Sequence, residues 1–142
     1  MDCFYCERGQ KLNDLMMPVC NLKVSTVYLV RNQNFPGRCA VVYQDHKTEL
    51  FQLTPEQRHD FTDDVAVVSQ AVCELFHADK INYGIFGDGV PHLHCHVVPK
   101  RKGEFCWGGM FDMNGNPDNF DDTELRARAE LIRKQIEKLS SK

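Results

Sequence analysis

Two kinds of apolar spacing divide the chain. Between residues 26 and 43 apolar and β-branched residues fall in short dense runs, Thr26-Val27-Tyr28-Leu29-Val30 and Cys39-Ala40-Val41-Val42-Tyr43, separated by Asn34-Phe35-Pro36-Gly37. These runs predict two antiparallel strands joined by a hairpin loop that includes Gln33 and Asn34. After Thr54 the spacing changes to steps of four and three: Phe61, Val65, Val68, Val72 and Leu75 make the stripe of an amphipathic helix reaching about Phe76. Its start is marked by Thr54 as N-cap, Pro55 at the first helical position and Gln57 completing a capping box.

The dense spacing then returns. Ile81 to Phe86 predicts a strand, Gly87-Asp88-Gly89 a tight turn, and His92 to Val98 an antiparallel neighbour. Residues 102–121 hold four glycines, one proline and the only tryptophan, an irregular segment able to lie across a ligand. Asp121-Asp122-Thr123 opens a last helix with Leu125, Ala129, Ile132, Ile136 and Leu139 at helical spacing. Hairpin, helix, hairpin, helix is the order of an α+β domain whose helices cover one face of an antiparallel sheet.

Length and charge narrow this picture. At 142 residues one domain, 1–142, is expected. A formal net charge of −3 gives no global signal for nucleic acid or a membrane surface, so any phosphate recognition must be local. The Met1-Asp2-Cys3-Phe4-Tyr5-Cys6-Glu7 start lacks the basic and apolar runs of a signal peptide, which leads us to expect a cytoplasmic protein. Seven cysteines, an odd count, argue against a disulfide scaffold in that compartment. Cys3 and Cys6 stand apart because C-x-x-C can hold zinc or form a redox pair, although no thioredoxin-like βαβ context follows. Cys20, Cys39, Cys73, Cys95 and Cys106 read as small buried or half-buried residues.

The chemistry concentrates in His92-Leu93-His94-Cys95-His96, which holds half of the six histidines. On a strand all three rings leave the same side at intervals of about 7 Å, with Leu93, Cys95 and Val97 on the other. Three alternating imidazoles are hard to explain as packing, because each needs its own hydrogen-bond partners. A shared metal ion and nucleophilic catalysis both remain open. Three catalytic zinc ligands at even spacing on one strand would strain the geometry, and no H-x-E base stands nearby.

The tract His92-Leu93-His94-Cys95-His96-Val97-Val98 resembles the signature of the histidine triad family, three histidines alternating with apolar residues. Gly37-Arg38-Cys39-Ala40-Val41-Val42, His46, Leu53-Thr54-Pro55-Glu56 and Asn82 ahead of Gly87-Asp88 fall in a similar order. The likeness covers most of residues 2–107, leaves the tail and helix 108–142 outside it, and is nearest to dinucleoside polyphosphate hydrolase-like members. It implies a five-stranded antiparallel sheet with a long helix and a C-terminal helix, and a homodimer. It also implies a nucleotide hydrolase or transferase acting on a dinucleoside polyphosphate or nucleoside phosphoramidate, with a purine as the expected base. By motif position His94 is the nucleophile at the α-phosphate, its second nitrogen held by a main-chain carbonyl. His96 donates to a nonbridging oxygen, and the product is a nucleoside monophosphate. Gly89 and Val90 offer amides, Asn32 and Gln33 are positioned for the ribose with loop capping as the equally simple alternative, and Asn82 and Asp88 complete the expected nucleotide contacts.

No catalytic metal is needed in this scheme. The same resemblance implies a structural zinc held by Cys3, Cys6, His46 and His92, which takes His92 out of the chemistry. Three positions depart from or add to the pattern. Asp88 stands where many members have glutamine, and a carboxylate there repels phosphate unless it turns away or binds a water or cation. Arg38 replaces a frequent histidine and can pair with a phosphate or a neighbouring carboxylate. Trp107 can stack near a base or a partner subunit, or simply pack. The rival of another class is a nucleotide-binding regulatory module with little catalysis.

Overall fold

The computed structural model describes residues 3–141. Five strands form one antiparallel sheet in the order β1-β2-β3-β5-β4: Met16–Asn21, Ser25–Val30, Cys39–Tyr43, His94–Lys100 and Lys80–Gly84 respectively. Two short helices, α1 (Phe4–Glu7) and α2 (Gln10–Leu15), precede the sheet; α3 (Pro55–Phe76) follows β3, and α4 (Asp122–Ser140) closes the chain. The α+β fold and five-stranded antiparallel sheet expected from the sequence are therefore present.

Local chemistry explains the elements that periodicity predicted. Thr54 caps α3 by accepting from the Gln57 amide, while the Gln57 side chain accepts from the Thr54 amide. Phe61, Val65, Val68 and Val72 then face the sheet in a core with Val27, Leu29, Val41 and Val97. Leu125, Ala129, Ile132 and Ile136 of α4 join the same core. Both helices thus cover one face, as the helical stripes require. The hairpin loop closes on α3 at Gly37, whose φ of +92° favours glycine and where a Cβ would meet the Phe76 ring.

The opposite face is covered differently. Tyr28, Val30, Ala40 and Val42 pack there against Cys3, Tyr5, Leu12 and Met16 from the N-terminal segment. Three departures from the sequence expectations belong to this side. β1 was not anticipated, because Pro18 removes an amide and the register slips between Pro18 and Cys20, irregularities tolerated at a sheet edge. β4 ends at Gly84 rather than Phe86, and residues 85–93 form an open bend instead of a tight turn. β5 begins at His94, so His92 lies outside it: the His92 amide donates to Val90 and the Leu93 amide to Lys47.

Candidate functional site

Two polar centres sit at the start of β5, joined by His92. The first is a cluster of Cys3, Cys6, His46 and His92 whose ligand atoms all lie within 4.8 Å of one another. Helix α1 is a single turn in which the Cys6 and Glu7 amides donate to the Cys3 carbonyl, bringing the two thiols of C-x-x-C to one side. His92 Nδ1 lies 3.3 Å from Cys3 Sγ, 3.4 Å from Cys6 Sγ and 3.1 Å from His46 Nδ1; Cys6 Sγ lies 3.2 Å from His46 Nδ1. A tetrahedral site with zinc–sulfur and zinc–nitrogen bonds has ligand–ligand edges of roughly 3.3–3.8 Å. The tautomer agrees with ligation. His92 Nε2 faces the Tyr43 carbonyl at 2.7 Å, and a carbonyl only accepts, so the proton is on Nε2 and Nδ1 offers a lone pair to the cluster. Four residues in this arrangement fit a divalent metal, and they are the four the sequence brought forward.

The second centre is a cavity of 430 Å³ on the face opposite α3 and α4. His94 and His96 stand on its floor, both about 5% exposed, with ring centroids 5.0 Å apart and nearly perpendicular planes. His94 Nδ1 lies 2.5 Å from the His92 carbonyl oxygen. The proton is therefore on Nδ1, and Nε2 is left as the basic nitrogen. Burial lowers the pKa of His94, partly opposed by that hydrogen bond. His96 is lowered to about 3 by burial, then by His94 and Arg38, so it stays neutral at pH 7. Its Nδ1 is buried without a hydrogen-bond partner among the described residues.

The walls come from three segments. Gly87, Asp88, Gly89 and Val90 form one rim, with Asp88 exposed at the mouth. Phe86 folds back over His96 at 6.0 Å between centroids; Gly84 permits this, since a Cβ there would collide with the Phe86 and Phe111 rings. Asn32 lines the cavity, with its Oδ1 accepting from the Asp118 amide. Tyr5 closes the far side, 5.6 Å from the His92 ring and 5.3 Å from His94, and donates its hydroxyl to the Met16 thioether. Burial holds the Tyr5 phenol well above its ordinary pKa.

Some expected contacts do not meet the cavity. Gln33 is 1% exposed, and its amide is committed inside the hairpin loop. Nε2 donates to the Val30 and Arg38 carbonyls, and Oε1 accepts from the Gly37 amide and Arg128 Nη1. With every valence spent, Gln33 orders the loop instead of facing a ribose. Asn82 lies on β4 in a shallow groove with Tyr83 and Ile85, outside the cavity. Trp107 is part-exposed and lies outside the cavity as well. Conversely Phe4, Tyr5, Met16, Val30, Phe86 and Met113 line the cavity without having been singled out. Their only sequence signal was Tyr5 between the two cysteines. Cys20, Cys39, Cys73, Cys95 and Cys106 are buried or half-buried, as expected; burial pushes Cys20 and Cys95 up to about 11.

Known proteins resemble this chain in sequence and in fold. A bis(5'-nucleosyl)-tetraphosphatase (asymmetrical) of Schizosaccharomyces pombe is 32% identical over 88 residues, 58% of this chain and 48% of that protein. The chain thus aligns with about half the length of that relative. A histidine triad protein of Bradyrhizobium japonicum superposes with a TM-score of 0.80 at 25% identity, covering 90% of this chain and 96% of the other. A zinc-bound histidine triad family protein of Mycobacterium smegmatis shares the fold with a TM-score of 0.70 at 23% identity, covering 99% and 97%. A family model described as HIT domain matches residues 19–103, which span every strand but β1 in full and carry all three histidines, and the chain belongs to the histidine triad family.

Proposed function

We propose that the protein is a nucleotide hydrolase or transferase that works through a nucleotidyl-histidine intermediate. The observation that carries this reading is the hydrogen bond from His94 Nδ1 to the His92 carbonyl, which leaves Nε2 unprotonated in a cavity. His94 Nε2 attacks the α-phosphorus, the bond to the bridging oxygen breaks, and an N–P bond forms. The leaving group departs with the electron pair of the broken bond; water then cleaves the N–P bond, losing a proton to solvent, to release a nucleoside monophosphate and restore the neutral imidazole. Neutral His96 stands beside the same phosphate with one N–H to give, and amides of Gly89 and Val90 on the rim add donors. Asn32 is positioned for a ribose hydroxyl. The tetraphosphatase relative supports a dinucleoside polyphosphate as substrate class; a purine base is part of the proposal.

Cys3, Cys6, His46 and His92 would hold a structural zinc, which cross-links α1 to the start of β5 and supplies no chemistry to the phosphate. The zinc-bound relative supports that identity. A homodimer and a cytoplasmic location complete the reading. The dimer draws support from the free edge of β4, where Tyr83 is exposed, and from the exposed Ile85 and Phe86 just beyond its end. No described helix is long and apolar enough to cross a membrane.

The deciding assay offers dinucleoside polyphosphates and nucleoside phosphoramidates to the protein and to His94→Ala, with a brief chelator treatment that leaves tightly held zinc in place. Turnover that survives chelation and falls by about 10³-fold or more in the variant is expected for a lost nucleophile. The regulatory module is favoured by one feature, the Asp88 carboxylate at the cavity mouth. Tight binding of AMP with no turnover would select it.

A further inference from the structure

Arg38 is the anomaly of the cavity. It lies just ahead of β3, with its carbonyl accepting from Val30, and its side chain falls on the same sheet face as Ala40, the partner of His96. It is 4% exposed and lines the cavity together with His94 and His96. No carboxylate lies within ion-pair distance among the described residues. Its hydrogen bonds all leave from Nη1, to Asn34 Oδ1 at 2.8 Å and to the Met113 carbonyl at 2.7 Å. Nε is buried with no partner, and Nη2 makes no hydrogen bond with a described residue. A guanidinium taken out of water without a counter-charge is costly, and proteins keep one where a ligand supplies the charge.

The free atoms are informative. Nε–H and Nη2–H project in parallel from one edge of the guanidinium, the edge that takes two oxygens of a carboxylate or phosphate side by side. Nη1, on the other side, is fastened between the hairpin loop and the segment at Met113. The group is therefore locked in place with its bidentate edge unoccupied. The surroundings are short of negative charge: burial lowers the Arg38 pKa to about 10, and only Tyr5 opposes it.

We propose that Arg38 is an anion-binding residue on the cavity floor, giving its free Nε–Nη2 edge to two oxygens of a phosphate group of the bound nucleotide. The assignment rests on reading the cavity as a nucleotide site, and it deepens that reading. His96 donates through a neutral ring; Arg38 adds a fixed charge that no pH in the working range removes. Affinity then depends on the phosphate far more than on the nucleoside.

Calorimetry and thermal unfolding of the full chain test this, with AMP, adenosine and inorganic phosphate as probes. AMP should bind the unsubstituted protein more tightly than adenosine. Arg38→Met should cost roughly 10- to 100-fold in AMP affinity, the range of a lost charge-assisted bidentate contact. Adenosine affinity should stay within about twofold, because the nucleoside brings no charge to the site. The ligand-free Tm should hold or rise, since an uncompensated buried charge is gone. Arg38→Lys, which keeps the charge without the fork, should fall between. Equal losses for AMP and adenosine with a lower ligand-free Tm would mark Arg38 as a mere bolt between Asn34 and Met113 and overturn the proposal. Unchanged AMP affinity would do the same. If Arg38→Met does not fold, the AMP-to-adenosine ratio of Arg38→Lys decides in its place, and an unchanged ratio overturns it. A protein that ignores AMP yet is stabilised by inorganic phosphate through Arg38 would keep the anion site and sink the nucleotide reading. Indifference to both ligands would sink the two together.

Discussion

The two faces of the sheet are built to opposite rules. Under α3 and α4 the buried residues are predominantly apolar and closely packed, with Ser25, Asp64 and Ser69 the polar exceptions: Phe61, Val68, Val72, Ile132 and Ile136 are all at most 2% exposed. On the other face the buried set includes three histidines and an arginine, and two of its nitrogens, Arg38 Nε and His96 Nδ1, lack partners. Unmet polar demand is a cost that folding alone gives no reason to keep. One face therefore supplies stability, and the other spends some of it on unpaired donors and a free lone pair, which the proposed function assigns to the oxygens and the phosphorus of a phosphate group.

That division can be broken from either side. The largest stability effect should come from the apolar face: Phe61→Ala should lower unfolding free energy by about 3–5 kcal/mol, the usual range for a buried aromatic removed to alanine. AMP affinity measured well below the new Tm should barely change; a parallel collapse of binding would mean that the faces are not separable. Next in size is Cys6→Ala, which should abolish stoichiometric zinc in the purified protein and lower Tm. Its KM should rise several-fold as the α1 wall carrying Tyr5 loosens, with kcat nearly kept because the His92 carbonyl stays in place. Unchanged zinc content would remove the metal assignment, and a kcat that falls as far as in His94→Ala would deny that the cluster is only structural.

The smallest expected effect is an acid response. His96 is held neutral with a folded pKa of about 3 against about 6.5 in an unfolded chain. Above about 6.5 neither state binds the proton, and this group leaves stability untouched. As pH falls below that value the unfolded chain takes up a proton that the folded protein refuses, so stability declines down to about pH 3. His94 acts in the same direction. Denaturant unfolding followed from pH 7 to pH 5 should show a shallower decline in His96→Asn than in the unsubstituted protein. Equal slopes would show that burial of this ring carries no linkage.

How far the sequence could be read follows the same division. β2 and β3 were legible as dense β-branched runs buried on both faces, and α3 and α4 because one apolar face fixes a period of 3.6. β1 was not, since Pro18 and the slip beside it break the alternation. The histidine tract was legible as chemistry but not as geometry. Its first member leaves the ladder because its ring bonds to Tyr43 and its neighbour's amide bonds to Lys47. For Gln33 the sequence leaves ribose contact and loop capping equally open, and only tertiary contacts decide for the loop by saturating its amide. Tyr5 carried too little signal within four residues of helix, and its role comes from folding that turn back over β5.

His92 serves the two centres by different atoms. Its imidazole belongs to the sulfur-containing cluster, while its main-chain oxygen fixes the His94 ring. A peptide oxygen is common to every amino acid, so a substitution at position 92 removes a cluster ligand but keeps the acceptor that holds the His94 ring. Loss is then one-directional. Under the proposed function the cluster can therefore be given up at position 92 without moving the His94 ring, whereas nothing stands in for the His94 imidazole itself.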